Sequence, residues 1–196
     1  MVIPYHNRPG DVRLLLQDLA NLGVAGVEVS VLLVDNASTD RVLPEALPRG
    51  LRVQTLRLET NTGGSGGFSS GMRLWLEAGV RGDAHELIWL LDSDVRLNPA
   101  ALEPLIEAMD KHPELAGVGS MLADPQTKEV FEGGGEVDAR TGELVQELPA
   151  DWAARGLIPA GYLAACSLLV RRTVVEAVGP FANLFISGDD VEWCCR

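Results

Sequence analysis

The sequence predicts an α/β protein with a mostly parallel sheet and helices on both of its faces. The class follows from three observations. Short β-rich runs alternate with amphipathic stretches along most of the chain, the pattern of a parallel sheet with helical crossovers. Two of the strand candidates, Val29-Ser30-Val31-Leu32-Leu33-Val34 and Glu86-Leu87-Ile88-Trp89-Leu90-Leu91, are near-continuous apolar runs, as in strands covered on both sides. Polar clusters rich in Asp, Asn and Gly follow these runs, at the sheet edge where such folds bind ligands. With 196 residues, 46% of them hydrophobic, the chain is long enough to bury one core without staples, so one domain spanning 1–196 is expected.

Taken in order, Met1-Val2-Ile3-Pro4 reads as the inner end of a first strand. Val12, Leu15, Leu16, Leu19 and Leu22 fall close to helical spacing and predict a helix over 12–22. The run at 29–34 is the second strand, and 53–58 is an alternating third. Met72, Trp75 and Leu76 place a helix over 68–79. The strand at 86–91 follows. A helix over 99–112 is expected next, with Asn98 as N-cap and Pro99 at its first position. A strand at 115–122 precedes a change of texture. Residues 123–160 hold Gly133-Gly134-Gly135 and several acids, and the runs Val130-Phe131 and Glu136-Val137 predict a small antiparallel hairpin. A return strand at 165–170 and a short helix from Thr173 close the pattern. The chain stops at Arg196 in a helical stretch with no stop signal, so it is expected to be cut short at its C-terminus.

Lys and Arg number 16 and Asp and Glu number 28, a formal charge of −12 that argues against nucleic-acid binding, which needs a basic surface. The excess is uneven. Residues 1–98 carry 9 basic and 12 acidic side chains, whereas 99–196 carry 7 and 16. Cys166, Cys194 and Cys195 have neither metal spacing nor a disulfide framework, and a reducing setting fits. Adjacent Cys194 and Cys195 read as small apolar residues at a helix start. No apolar run reaches the ~20 residues of a membrane span, and no signal peptide is visible. His6, His85 and His112 are scattered without paired spacing. No Gly-x-Ser-x-Gly elbow supports a serine hydrolase.

The parallel-sheet rule selects four loops, at 4–10, 35–40, 61–67 and 92–99. In Asp35-Asn36-Ala37-Ser38-Thr39-Asp40 a buried strand delivers an acid to the ligand edge. Asp35 there is suited to accept hydrogen bonds from a nucleobase or ribose, and the bland alternative is a helix cap from Ser38 or Asp40. Asn61-Thr62-Gly63-Gly64-Ser65-Gly66-Gly67 places four glycines between a strand and a helix, where backbone approaches a ligand and helix N–H groups suit an anion. It is neither a Walker loop nor Gly-x-Gly-x-x-Gly. Asp92-Ser93-Asp94 puts two carboxylates one residue apart, a pair able to share a hard cation such as Mg²⁺ or Mn²⁺. Further on, Asp189-Asp190-Val191-Glu192 offers one acid to cap a helix and another, Asp190, to face the cleft as a general base.

Ile3-Pro4-Tyr5-His6-Asn7-Arg8, Val34-Asp35-Asn36, Asn61-Thr62-Gly63-Gly64, Leu91-Asp92-Ser93-Asp94 and Gly188-Asp189-Asp190 together, in this order, resemble the inverting family-two glycosyltransferases of the GT-A fold. The resemblance covers nearly the whole chain. It implies a Rossmann-like sheet with a small antiparallel β element after the Asp-x-Asp motif. It implies a nucleotide-diphosphate sugar as donor, UDP- or dTDP-linked. Pro4, Tyr5, Arg8 and Asp35 match positions lining the nucleoside pocket, and Asn61, Gly63 and Gly64 match the loop beside the donor. Asp92 and Asp94 match the motif that holds the metal, Mg²⁺ or Mn²⁺, and the diphosphate. Asp190 matches the base that deprotonates an acceptor hydroxyl, which then inverts the anomeric carbon. The glycine run with Asp189-Asp190 looks most like the rhamnosyl- and galactofuranosyltransferase branch.

The same resemblance implies a glycan or lipid-linked glycan as acceptor, in cell-surface polysaccharide or glycolipid synthesis. It also implies a cytoplasmic site, with peripheral membrane contact allowed. Residues 1–98 would form the nucleotide-sugar half and 99–196 the acceptor side. Family members often carry a downstream histidine in the metal site, and here none follows His112. An acidic chain that binds a diphosphate with few nearby cations, Arg8 and Arg73 the obvious ones, needs a divalent ion to neutralise it. A nucleotidyltransferase and a non-catalytic nucleotide-sugar-binding domain are the alternatives. The first calls for a basic glycine-rich loop after the first strand, where this chain has Tyr5-His6-Asn7-Arg8-Pro9-Gly10.

Overall fold

The computed structural model describes every residue except 25, 43–46, 81–85, 147 and 150. A six-stranded sheet runs through the middle of it. Its strands are β1 (Val2–Tyr5), β2 (Ser30–Asp35), β3 (Arg52–Arg57), β4 (Leu87–Leu91), β5 (Gly117–Gly119) and β10 (Ser167–Arg171), in the spatial order β3-β2-β1-β4-β10-β5. The first four are mutually parallel, and β10 runs antiparallel between β4 and β5. The strand order reverses between β1 and β4. The carboxyl ends of β1, β2, β3 and β4 therefore share one edge with the start of β10, where Ser167 pairs with Leu91.

The pleat sorts the core into two layers, because successive side chains leave a strand on opposite faces. Ile3, Leu33, Trp89 and Leu91 meet Val12, Leu15, Leu16 and Leu19 of α1 (Pro9–Ala20) and Leu105 and Met109 of α3 (Leu102–Lys111). Val2, Val34, Ile88 and Leu90 meet Phe68 and Met72 of α2 (Gly63–Val80), Val175 of α4 (Arg172–Val178) and Trp193 of α5 (Asp189–Cys194). On this second face Phe181 stands edge-on between Phe68 and Trp193.

Several boundaries differ from the sequence reading, each for a local reason. Pro9, whose missing N–H costs nothing at a helix start, opens α1 three residues early. Asn98 does not cap α3. Its side chain instead accepts the Ala100 amide in the preceding turn, at 2.9 Å, and the helix begins at Leu102. Cys194 and Cys195 lie at the end of α5, not its start. Val130-Phe131 and Glu136-Val137 do not pair with each other. β7 (Val130–Glu132) pairs with β6 (Leu122–Ala123), and β8 (Glu136–Val137) pairs with β9 (Leu144–Val145), so the antiparallel element is two small ribbons.

The largest difference is the glycine run. It is no free loop but the first turns of α2, which starts five residues earlier than its apolar pattern suggests. The glycines bring this helix onto the sheet. A Cβ on Gly67 would lie 2.6 Å from Cβ of Pro4, and one on Gly71 only 2.3 Å from Cγ1 of Val2. Gly71→Val is therefore expected to destabilise the protein by about 1–3 kcal/mol through overpacking, despite a better helix propensity. Urea unfolding monitored by circular dichroism measures it, and an unchanged midpoint would remove the packing role.

Candidate active site

β1 ends in Tyr5-His6-Asn7-Arg8, and the backbone there turns sharply: Asn7 has φ 54°. Asn7 ties the neighbouring loop down. Its side-chain oxygen accepts the amides of Thr39 (2.8 Å) and Asp40 (3.0 Å), while its own amide donates to the Ser38 hydroxyl. β2 ends in Asp35 and Asn36, both buried. Asn36 locks the start of α2: its amide donates to the Gly63 carbonyl at 2.8 Å, and its oxygen accepts the Thr62 amide at 2.9 Å. Ala37 next to it has φ 59°. Among the described residues, four of the five non-glycine residues at positive φ (Asn7, Ala37, Phe185 and Ser187) lie in loops at this edge, where strain held by the surroundings marks functional sites.

Asp35 is fully buried and fully engaged. It accepts the Ser38 amide at 2.8 Å, the Arg41 guanidinium at 3.1 Å and the Arg57 guanidinium. Burial acts to raise its carboxyl, but the Ser38 bonds and Arg57 outweigh this and hold it below the usual carboxylate range. Parallel pairing of Asp35 with Arg57 at the ends of β2 and β3 makes the contact. Asp35 thus aims two half-exposed guanidinium groups, Arg41 and Arg57, at the edge of the site. Tyr5 is buried, with its hydroxyl accepting the Val42 amide at 3.3 Å, and Pro4 is covered by α2. Both lie beneath the sheet edge at the end of β1.

The acids converge at the end of β4. The Asp92 amide donates to the Cys166 carbonyl at 3.3 Å, and the Ala165 amide donates to the Asp190 carboxylate at 3.1 Å. One dipeptide at the start of β10 thus clasps both acids. Burial, then the charges of Asp94, Asp189 and Asp190, push the Asp92 carboxyl up from 3.8 to about 6, with Arg8 opposing them. Arg8 reaches across from the loop after β1 to Asp94, at 2.9 Å. In the acidic pair at the start of α5, Asp189 is buried and its carboxyl is raised, by burial first and then by Asp190. Asp190 is the more exposed of the two. Neither caps the helix; the N-cap is Gly188, in the left-handed region.

The sequence-derived set is therefore brought to one edge: Pro4, Tyr5, Arg8, Asp35, Asn61, Gly63, Gly64, Asp92, Asp94 and Asp190. Two expectations change in detail. Asp35 organises arginines and presents no free carboxylate, and Gly63 contacts the chain rather than open space. At φ 72°, a Cβ on Gly63 would collide with the Phe185 carbonyl, and that same carbonyl accepts the Ser65 amide. Asn61 accepts the Gly63 amide at 2.9 Å. Arg73 is exposed on α2 and adds nothing visible to the acids. His6 bonds the Asn36 carbonyl at 2.8 Å, and His85 lies outside the described residues. Asn7, Asn36, Arg41 and Arg57 were not singled out by the sequence.

Among the described residues, no three His, Cys, Asp or Glu side chains stand close enough to hold a metal ion between them. The donor set still fits one. Mg²⁺ and Mn²⁺ are commonly held by one or two carboxylates, with substrate phosphates and water filling the other positions. Asp92 and Asp94 supply that pair, and the crowding that raises Asp92 is what a cation would relieve.

With the geometry in place, comparison with known proteins defines the class. Residues 1–146 match the family model described as glycosyl transferase family 2, and the chain belongs to that family. A curated relative, N-acetylglucosaminyl-diphospho-decaprenol L-rhamnosyltransferase of Mycobacterium tuberculosis, is 29% identical over 89% of this chain. Glycosyltransferase AglE of Haloferax volcanii is 23% identical over 100% of this chain. The chain spans only 62% and 60% of their respective lengths. Among solved structures, the mannosyltransferase PcManGT from Pyrobaculum calidifontis, in complex with GDP-Man and Mn2+, has a TM-score of 0.66 at 15% identity, covering 98% of this chain and 49% of that one. S. aureus TarS in complex with UDP has a TM-score of 0.67 at 18% identity, covering 98% and 52%. These likenesses establish the fold as GT-A.

Proposed function

We propose that the chain is the catalytic core of an inverting, metal-assisted glycosyltransferase that takes its sugar from a UDP- or dTDP-linked donor. The observation that carries the reading is the convergence of Asp92, Asp94 and Asp190 on the strand edge of a family 2 glycosyltransferase, at the same edge as Arg8, Arg41 and Arg57. Residues 1–98 hold the donor: Pro4 and Tyr5 wall the base pocket, and Arg57, aimed by Asp35, meets the nucleoside. Asn61, Gly63 and Gly64 flank the sugar diphosphate. Residues 99–196 serve the acceptor. A Mg²⁺ or Mn²⁺ ion bound by Asp92 and Asp94 would supply charge neutralisation for the departing diphosphate. Arg8, ion-paired to Asp94, is placed to turn its guanidinium to a phosphate oxygen. Asp190, fixed by the Ala165 amide, takes the proton of the acceptor hydroxyl as that oxygen attacks the anomeric carbon from the face opposite the diphosphate.

The rhamnosyltransferase relative supports the rhamnosyl branch and a lipid-linked glycan acceptor. No helix among the described residues is long and apolar enough to cross a membrane. Leu184, Phe185 and Ile186, however, are 47%, 51% and 69% exposed just ahead of Asp189-Asp190. An apolar tip beside the base suits work at the cytoplasmic face of a membrane, where such an acceptor resides. Calorimetric titration with UDP, dTDP and GDP, with and without Mn²⁺, tests the reading. Metal-dependent binding of UDP or dTDP is expected, and absence of nucleotide binding under every condition would reject it.

A further inference from the structure

We propose that the cavity bounded by Phe131, Glu132 and Gln146 is a subsite for a neutral sugar ring of the acceptor, a reading that rests on the proposed glycosyl transfer. The cavity measures about 260 Å³ and lies between β7 and the chain that leaves β9. A second cavity, of about 190 Å³, shares Gly133, Gly134 and Leu148 as its wall. The space is small, and it combines the two surfaces that sugars use. Phe131 is 64% exposed at its rim, an aromatic face left in water at a hydrophobic cost and suited to the C–H face of a pyranose.

The polar wall is already set in place. The Gln146 amide donates to Glu132 Oε2 at 2.7 Å and to the Tyr162 hydroxyl at 2.9 Å, while Glu132 Oε1 accepts the Gly134 amide at 3.1 Å. These bonds fix both side chains and leave the Gln146 carbonyl oxygen and further carboxylate lone pairs as acceptors for ring hydroxyls. The glycines beside it are set by packing. A Cβ on Gly133 would stand 2.4 Å from Met121 Sδ, and one on Gly135 would stand 2.4 Å from the Val145 carbonyl, so the ribbons close on their neighbours only because no side chain stands there. Glu132 also bears on the ligand's charge: a carboxylate in the wall disfavours an anionic group and not a neutral hydroxylated ring.

The position suits an acceptor. Tyr162 pairs with Gly135 beneath the cavity, and Ala165, whose amide holds Asp190, is three residues further on. Three residues span at most about 10 Å, which bounds the backbone separation of Tyr162 from the residue that holds the base.

Saturation-transfer NMR on the full chain, with UDP present and a panel of methyl glycosides (gluco, galacto, manno and N-acetylgluco) as probes, tests the subsite. Transfer to ring protons of at least one glycoside is expected, and it should weaken about 3- to 10-fold in Phe131→Ala and in Gln146→Ala with UDP binding unchanged. Transfer that persists in both variants, or none in the unmodified chain while UDP still binds, overturns the subsite and leaves the donor reading intact. Loss of UDP binding in the unmodified chain would instead overturn the donor reading.

Discussion

Asp190→Asn is expected to lower glycosyl transfer by about 10²- to 10⁴-fold, the usual contribution of a positioned general base, while nucleotide binding stays as it was. The substitution is nearly isosteric. The Asn side-chain oxygen can still accept the Ala165 amide, so the clasp between the start of β10 and α5 survives. What is lost is the capacity to take a proton, together with the acceptor for the neighbouring Val191 amide, which bonds the other carboxylate oxygen at 2.8 Å. Turnover is to be measured as release of nucleotide in the presence of an acceptor, alongside calorimetric nucleotide affinity. Asp189→Asn is the natural comparison. Asp189 is buried, so it is less accessible to an acceptor hydroxyl than Asp190 and its removal should act on folding rather than on transfer. A loss of transfer confined to Asp189→Asn would move the role to that residue, and full turnover in Asp190→Asn would end its assignment.

Much of this site was legible because strand ends are written into the chain. Buried runs stop at Asp35 and Leu91, and the polar residues that follow must face the ligand edge of a parallel sheet. Long-range partners were not legible. Asn7 reaches Thr39 and Asp40, and Asn36 reaches Gly63, through contacts that only strand pairing creates. Arg57 had a faint signal: it closes β3 as Asp35 closes β2, and parallel pairing sets them side by side. That signal turned Asp35 from a direct ligand contact into the residue that orients two arginines. The glycines misled for a different reason. Low helix propensity argues for a loop, but Gly67 and Gly71 face Pro4 and Val2 so closely that packing overrides propensity. After β5 the strands at Val130 and Glu136 were legible but their partners were not, because strands of two or three residues carry too little periodicity to fix a pairing.

Asp92→Asn is expected to abolish useful transfer and yet to stabilise the ligand-free protein at neutral pH. The opposition follows from the raised carboxyl. Asp92 goes from 3.8 to about 6 on folding, because burial and then three nearby carboxylates disfavour its charge. Between about pH 4 and 6 the unfolded chain has already released this proton while the folded chain keeps it. Stability is therefore fully present below pH 4, falls as pH rises through 6, and stays reduced above. Asn carries no charge and escapes that loss. In the presence of a chelator the variant should gain roughly 1–2 kcal/mol at pH 7.5, after allowance for solvent at a partly open site. At about 2–4 °C per kcal/mol that is a rise in melting temperature of several degrees. The gain should shrink below pH 6 and vanish near pH 4. Thermal melts of both proteins across this range, paired with Mn²⁺-dependent nucleotide binding at pH 7.5, give the measurement. A variant that melts lower at every pH would show that Asp92 is held by favourable bonds and not crowded by its neighbours. A variant that is stabilised but still binds nucleotide and metal with undiminished affinity would remove Asp92 from the donor site. If both expectations hold, the same repulsion that weakens the empty fold is what prepares the site to take a divalent cation with its diphosphate.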